Sequence, residues 1–208
     1  MNTLEKLFGN NARVKILRLF LLNPEQVYAA KEVARMTRVS SAAVSRELRT
    51  LRDIGFVKKS SKSEEVKRGK RVRRKRVQGF MLSATFPVLA PLRNLLITAS
   101  PISRERMIQY FKHHGKTQLV GVAGVFFGAD NAESISRQSL DLLVVGDGIK
   151  RSKLEQFIST LESEIGKELV WVSFSPAEFE YRMAMHDKFL RDFFDYPHEF
   201  LINKLGIK

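Results

Sequence analysis

The chain of 208 residues contains no cysteine. That excludes a disulfide scaffold, a thiol nucleophile and a cysteine zinc site, and it fits a reducing compartment. Histidine is scarce as well, at four. His113 and His114 fall at a helix end, where the helix dipole favours histidine, and His186 and His198 lack any partner at zinc-ligand spacing. Long apolar runs are missing: none reaches the roughly 18 residues of a membrane span, and Met1 to Asn11 lack the basic-then-apolar pattern of a signal segment. The sequence predicts a soluble, cytoplasmic protein without a membrane partner.

Acidic residues are scarce in one half only. Residues 1–100 hold 22 Lys and Arg against 7 Asp and Glu, a net +15. Residues 101–208 hold 14 against 15, a net −1. An excess confined to one half predicts a polyanion-binding half joined to a neutral one. Hydrophobic residues, at 44%, are numerous enough to build a core without staples. The expected division is 1–98 and 99–208.

In the first half, Leu4, Leu7, Phe8, Val14, Leu17 and Leu21 recur at helical spacing until Asn23-Pro24, with a break near Gly9 to Asn11. Val27-Tyr28 reads as a short extended stretch, Ala29 to Met36 as a short helix, and Thr37 to Ser40 as a tight turn. A third helix is predicted from Ser41 to Asp53, capped by Ser40, with Val44, Leu48 and Leu51 inward. Ile54 to Val57 leads into a strand. Residues 58–76 carry eleven Lys and Arg, with Gly69 placed as a hairpin tip. Val77 to Leu82 reads as the returning strand, and a helix follows from near Pro87 or Pro91.

The second half alternates strands and helices, the pattern of an α/β or α+β unit. A helix is expected over Ser103 to His114, and nearly continuous apolar strands over Leu119 to Phe127 and Leu140 to Val145. Ser152 and Glu155 read as a capping box for a helix that Gly166 closes. Leu169 to Phe174 reads as a third strand. Ser175-Pro176-Ala177-Glu178 opens one long helix carrying Phe179, Met183, His186, Leu190 and Phe193 on one side. Phe179, Met183 and Trp171 are expected in the core.

Three short helices with a tight turn between the second and third, followed by a strand, a basic loop and a returning strand, describe a winged helix-turn-helix. Residues 4–97 resemble the winged helix-turn-helix domains of bacterial and archaeal transcription regulators. The resemblance is carried by Ala30 to Leu48 and by Leu51-Arg52-Asp53-Ile54-Gly55-Phe56-Val57. It implies a double-stranded DNA partner. The outer face of the third helix carries Ser41, Ala42, Ser45, Arg46 and Arg49, with Ser40 ahead of it. Small and hydrogen-bonding residues there can meet base edges: Ala42 a thymine methyl, Ser41 or Ser45 a base, Arg46 a guanine. Arg49 and Arg52 suit phosphates, as do Lys67, Arg68, Lys70, Arg71, Arg73 and Arg74 of the wing. RNA binding by the wing is an alternative, but a helix-turn-helix favours duplex DNA because the A-form major groove is too narrow to admit a helix.

Gly128-Ala129 followed by Ser139-Leu140-Asp141-Leu142-Leu143-Val144-Val145-Gly146-Asp147 resembles the minimal nucleotidyltransferase superfamily. That family's pattern is Gly-Ser, a polar loop, then Asp-x-Asp on a strand. Its Gly-Ser turn holds nucleotide phosphates, and two Asp with a later carboxylate hold magnesium. Here Asp141 matches the second Asp, Ser139 stands where the first belongs, Ala129 replaces the serine, and Glu168 is the candidate third carboxylate. Two-metal transfer needs several negative oxygens. The expectation is therefore an α+β protein: a winged helix-turn-helix domain and a nucleotidyltransferase-like α/β domain without transferase activity. No cofactor is expected, magnesium entering only if the transferase is active. The α/β domain would sense a nucleotide-like ligand, bind a protein partner or dimerise, and a homodimer would match a partly palindromic site. The alternative is an active transferase acting on nucleic acid or on a toxin-like protein.

Overall fold

The computed structural model describes residues 3–68, 71–98, 104–127 and 140–207. The chain is α+β, and its contacts divide it into two compact units: Met1–Leu96 with Glu162–Lys167, and Ile97–Leu161 with Glu168–Lys208.

In the first unit, α1 (Thr3–Leu7) is separated from α2 (Asn11–Leu22) by Gly9, whose φ of 67° suits glycine. Asn10 caps α2 by accepting the Ala12 N–H at 2.9 Å. The apolar stripe of α2 buries Val14, Leu17, Phe20 and Leu21. Arg18 on the same helix is also buried, and its guanidinium donates to the Leu96 and Glu164 carbonyls. Burial lowers its pKa to about 10, the charges of Glu5 and Glu164 opposing that shift.

Helix α3 (Ala30–Thr37) begins where the Glu32 carboxylate accepts the Ala29 N–H at 2.7 Å. It ends at Arg38, held left-handed at φ 52°. Helix α4 (Ser41–Asp53) starts at Ser40, whose hydroxyl accepts the Ala43 N–H at 3.4 Å. Val44, Leu48 and Leu51 are buried beneath it with Val33 and Phe56, as their spacing predicts. The antiparallel strands β1 (Val57–Arg68) and β2 (Arg71–Leu82) follow, in register from Val57 opposite Leu82 to Arg68 opposite Arg71. Tyr28 bridges to Phe80, and the Gly79 backbone lies so close to Tyr28 that a Cβ would fall 2.6 Å from its carbonyl oxygen. The basic stretch is thus paired strand rather than loop, while the expected tip at Gly69 lies outside the described residues. Helix α5 (Leu89–Thr98) has Pro91 in its first turn, where a missing N–H costs nothing.

In the second unit, α6 (Arg104–His113) leads into β3 (Lys116–Ala123) and a 3₁₀ turn over Gly124–Phe127, which takes the end of the expected strand. The described elements after residue 139 are β4 (Leu142–Asp147), α7 (Arg151–Ile165), β5 (Trp171–Phe174), α8 (Pro176–Ala184), α9 (Lys188–Asp195) and β6 (His198–Asn203). The sheet order is β5-β4-β3-β6, with β4 and β5 parallel and the other neighbours antiparallel. Leu119, Leu143, Val145, Phe174, Phe179, Leu190 and Phe193 form its core.

Three readings of this half need correction. The Ser152–Glu155 box does not form: Ser152 lies inside α7, the Lys150 carbonyl accepts the first helical N–H groups, and Glu155 pairs with Arg151 at 2.9 Å. The helix expected after Ser175 is two helices. Ser175 and Pro176 do open α8, but it ends at Ala184. His186 turns the backbone at φ 52°, and Asp187 caps α9 by accepting the Phe189 N–H at 2.9 Å. The break turns Met183 outward, at 36% exposed, and leaves His186 exposed; Trp171 is only half-buried.

Candidate nucleic-acid interface

Helix α4 fixes the site because its inner side is tied down. Val44, Leu48 and Leu51 pack beneath it. Glu47, also buried, accepts from Arg13 Nε at 2.8 Å and from Asn10 Nδ2 at 2.8 Å. With that side committed, Ser40, Ser41, Ala42, Ser45, Arg46 and Arg49 are all exposed on or beside the outer face. Neither the Arg46 nor the Arg49 guanidinium pairs with any described residue. Arg52 differs from them: its guanidinium forms an ion pair with Asp53 at 2.7 Å.

The wing root is fastened to the helices. Lys62 on β1 donates to Glu32 of α3 at 2.6 Å. Burial alone would raise the Glu32 carboxyl, but the Lys62 and Ala29 hydrogen bonds, with the charges of Lys62 and Arg35, hold it below its usual value of 4.5. Beyond Lys62 the ribbon continues, and Arg74 is exposed on it together with Lys75 and Arg76. Arg76 donates to the Ser61 hydroxyl across the strands at 2.7 Å. Lys67, Arg68, Arg71 and Arg73 lie on the paired strands; Lys70 lies outside the described residues.

Residues 10–59 match the model of the bacterial regulatory protein, arsR family. The match spans α2, α3, α4 and the start of β1, about a quarter of the chain. It supports a DNA-binding transcription regulator with a helix-turn-helix. No curated protein and no solved structure matches the chain. No helix among the described residues is long and apolar enough to cross a membrane.

Of the second set of candidates, Asp141 and Glu168 lie among the described residues. Gly128, Ala129 and Ser139 lie outside the described residues. Asp141, just ahead of β4, is buried, and its two carboxylate oxygens accept different backbone N–H groups: Val125 at 3.1 Å and Val170 at 2.9 Å. It bridges the end of β3 to the approach of β5. Glu168 is exposed. Among the described residues no three His, Asp or Glu are grouped so that they could hold a metal ion.

Sequence reasoning missed Glu47. Ser45 and Arg46 just before it are exposed polar residues, and its partners lie 34 and 37 positions away. The only signal was its place beside Val44 and Leu48 on the inner side of α4.

Proposed function

We propose that this protein binds duplex DNA with the outer face of α4 in the major groove and the β1–β2 ribbon along the adjoining backbone, and that its second unit binds a protein partner or a second copy instead of transferring nucleotides. The observation that carries the DNA reading is the basic face of α4, where Arg46 and Arg49 pair with no described residue, on an element anchored from behind. Arg46, near the helix N-terminus, suits a bidentate contact with guanine, and Ser41, Ala42 and Ser45 suit neighbouring base edges. Arg49 suits phosphate. The salt bridge to Asp53 makes Arg52 the weaker phosphate ligand of the two. At about 3.3 Å per residue, twelve-residue strands make a ribbon roughly 40 Å long, more than one turn of DNA. Lys67, Arg68, Arg71, Arg73 and Arg74 belong to it, and Lys70 is assigned with them from the sequence.

For the second unit, the described elements over 104–174, a helix, a strand and its 3₁₀ turn before residue 128 and a strand, a helix and a parallel strand after residue 139, with Asp141 ahead of β4 and Glu168 ahead of the neighbouring β5, support a nucleotidyltransferase-like ancestry. The hydrogen bonding of Asp141 supports a structural role: an acid whose oxygens both hold backbone N–H groups has less to give a cation. A partner-binding role is favoured by exposed large apolar side chains on α8, on α9 and between them: Tyr181 at 66%, Met185 at 64% and Phe189 at 54%. A two-fold homodimer through this unit would present two α4 helices to a partly palindromic operator.

The test begins with selection of bound fragments from genomic DNA by the full chain. Enrichment of one motif is expected; enrichment of none, or preference for duplex RNA at the same salt, would defeat the reading. On the selected site, Arg46→Ala should cost about 1–3 kcal/mol and relax the preference at one base pair. Arg49→Ala should weaken all sequences alike and flatten the salt dependence by about one counterion.

A further inference from the structure

Within the first unit, the wing root, the end of α2 and α5 enclose a cleft of about 180 Å³, open to solvent along one side. Its wall is apolar: Leu21 of α2, Met81 and Leu82 of β2, and Leu89 of α5. Three charged side chains stand around it, Glu25, Lys58 and Arg93. None of the three forms a hydrogen bond or ion pair with a described residue, although all line the same small space. Uncommitted charges beside an apolar wall are the usual makings of a small-molecule site, in which a few polar groups orient a mostly apolar ligand.

We propose that this cleft binds a small aromatic monocarboxylate. Size sets the ring. An engineered apolar cavity of roughly 150 Å³ holds benzene, whereas drug-sized ligands occupy roughly 300–1,000 Å³. A space of 180 Å³ therefore takes one ring and not two. The wall suits a ring as well, since the Met81 thioether is polarisable and makes favourable aromatic contacts. Charge sets the head group. Lys58 and Arg93 against Glu25 leave a net +1, the complement of a monoanion. The Arg93 guanidinium can take a carboxylate through two parallel N–H···O bonds, and Lys58 adds a point charge. Glu25 opposes a second negative charge and so disfavours dianions.

The position gives the site a consequence for DNA binding. Lys58 and Met81 are paired across the root of the wing. A ligand packed on Met81 and held by Lys58 braces the base of the ribbon. Any difference in its affinity between free and DNA-bound protein returns as an equal change in DNA affinity.

Benzoate is the probe. The full-length protein carries six methionines, so its ¹³C-methyl methionine spectrum has a reporter inside the cleft. Titration with benzoate is expected to move the Met81 methyl saturably and leave the other methyls in place. Arg93→Gln should weaken that response at least about tenfold, since it removes the bidentate partner. Benzyl alcohol and benzylamine should bind more weakly by a similar factor. Leu89→Trp, which fills the cleft, should abolish the response, its remaining methyl signals serving as the control for folding. No movement of Met81 at the solubility limit of benzoate would overturn the proposal. So would equal binding of benzylamine, an unaltered response in Arg93→Gln, or a uniform drift of all the methyls.

Discussion

Removing the Glu47 carboxylate should loosen α4 from behind. Glu47→Ala deletes the acceptor for Arg13 Nε at 2.8 Å and for Asn10 Nδ2 at 2.8 Å, and Asn10 is itself the cap of α2. Hydrogen bonds to charged groups contribute about 1.5–3 kcal/mol each, and breaking a fully buried pair costs about 3–5. The Glu47 side chain is 9% exposed but Arg13 is 37%, so water screens one side and compensates the stranded arginine in part. A net loss of about 2 kcal/mol follows. For a cooperative unit of roughly a hundred residues that is a fall in melting temperature of about 8–15 °C. The assay is thermal unfolding by circular dichroism of wild type, Glu47→Ala, Arg13→Ala and the double variant. Glu47→Gln, which keeps the Asn10 bond and loses the ion pair, should fall between. Operator affinity measured well below the transition should drop as well, because the helix that carries Arg46 has lost a restraint. A loss below about 0.5 kcal/mol, or additive effects of the Arg13 and Glu47 changes, would refute the claim that this pair fastens the recognition helix.

Asp141→Asn should destabilise the second unit by about 1.5–3 kcal/mol, because the amide places a donor against one of the two N–H groups from Val125 and Val170; urea unfolding measures it. Gly166→Ala should be strongly destabilising in the same assay, since φ is 91° and a Cβ would stand 2.6 Å from the Leu19 nitrogen. The Glu32 carboxyl lies below its usual value of 4.5 in the folded protein, so its contribution is complete above that pH and is lost as pH falls through the lower folded value. Melting curves across the acid range should show that loss in wild type and not in Glu32→Gln.

The parts of this fold that could be read from sequence are those decided locally. Ser40 followed by the Val44, Leu48, Leu51 stripe defines α4, and the helix runs from Ser41 to Asp53 as that pattern predicts. Gly9 and Asn10 mark the gap between α1 and α2, and Gly166 does follow the end of α7. The wing was harder. Lys and Arg on both faces of a ribbon erase the period-two alternation by which a half-buried strand is recognised, so paired strand reads as loop. Strand β6 is held by β3, some 80 positions away, and has too weak a pattern of its own to declare itself. The division of α8 from α9 depends on Asp187 accepting the Phe189 N–H, a cap that an unbroken apolar spacing concealed. At the candidate sites, residue types were legible and commitments were not. Arg46, Arg49 and Arg52 look alike on paper, yet among the described residues Arg52 alone of the three pairs with an acid.

Among the described residues the β1–β2 ribbon is a two-stranded sheet, so each strand has an outer edge carrying backbone N–H and C=O groups that no further described strand covers, apart from the bridge of Phe80 to Tyr28. Such edges invite strands of other molecules, and two-stranded ribbons are marginal when alone. The concentration of Lys and Arg along residues 58–76 answers that hazard as well, because two such ribbons repel before their edges can meet. Shielding the charge with concentrated salt, or replacing these cations with glutamine to weaken DNA binding, would therefore remove a guard against self-association. Variants of the wing should be judged for solubility before affinity.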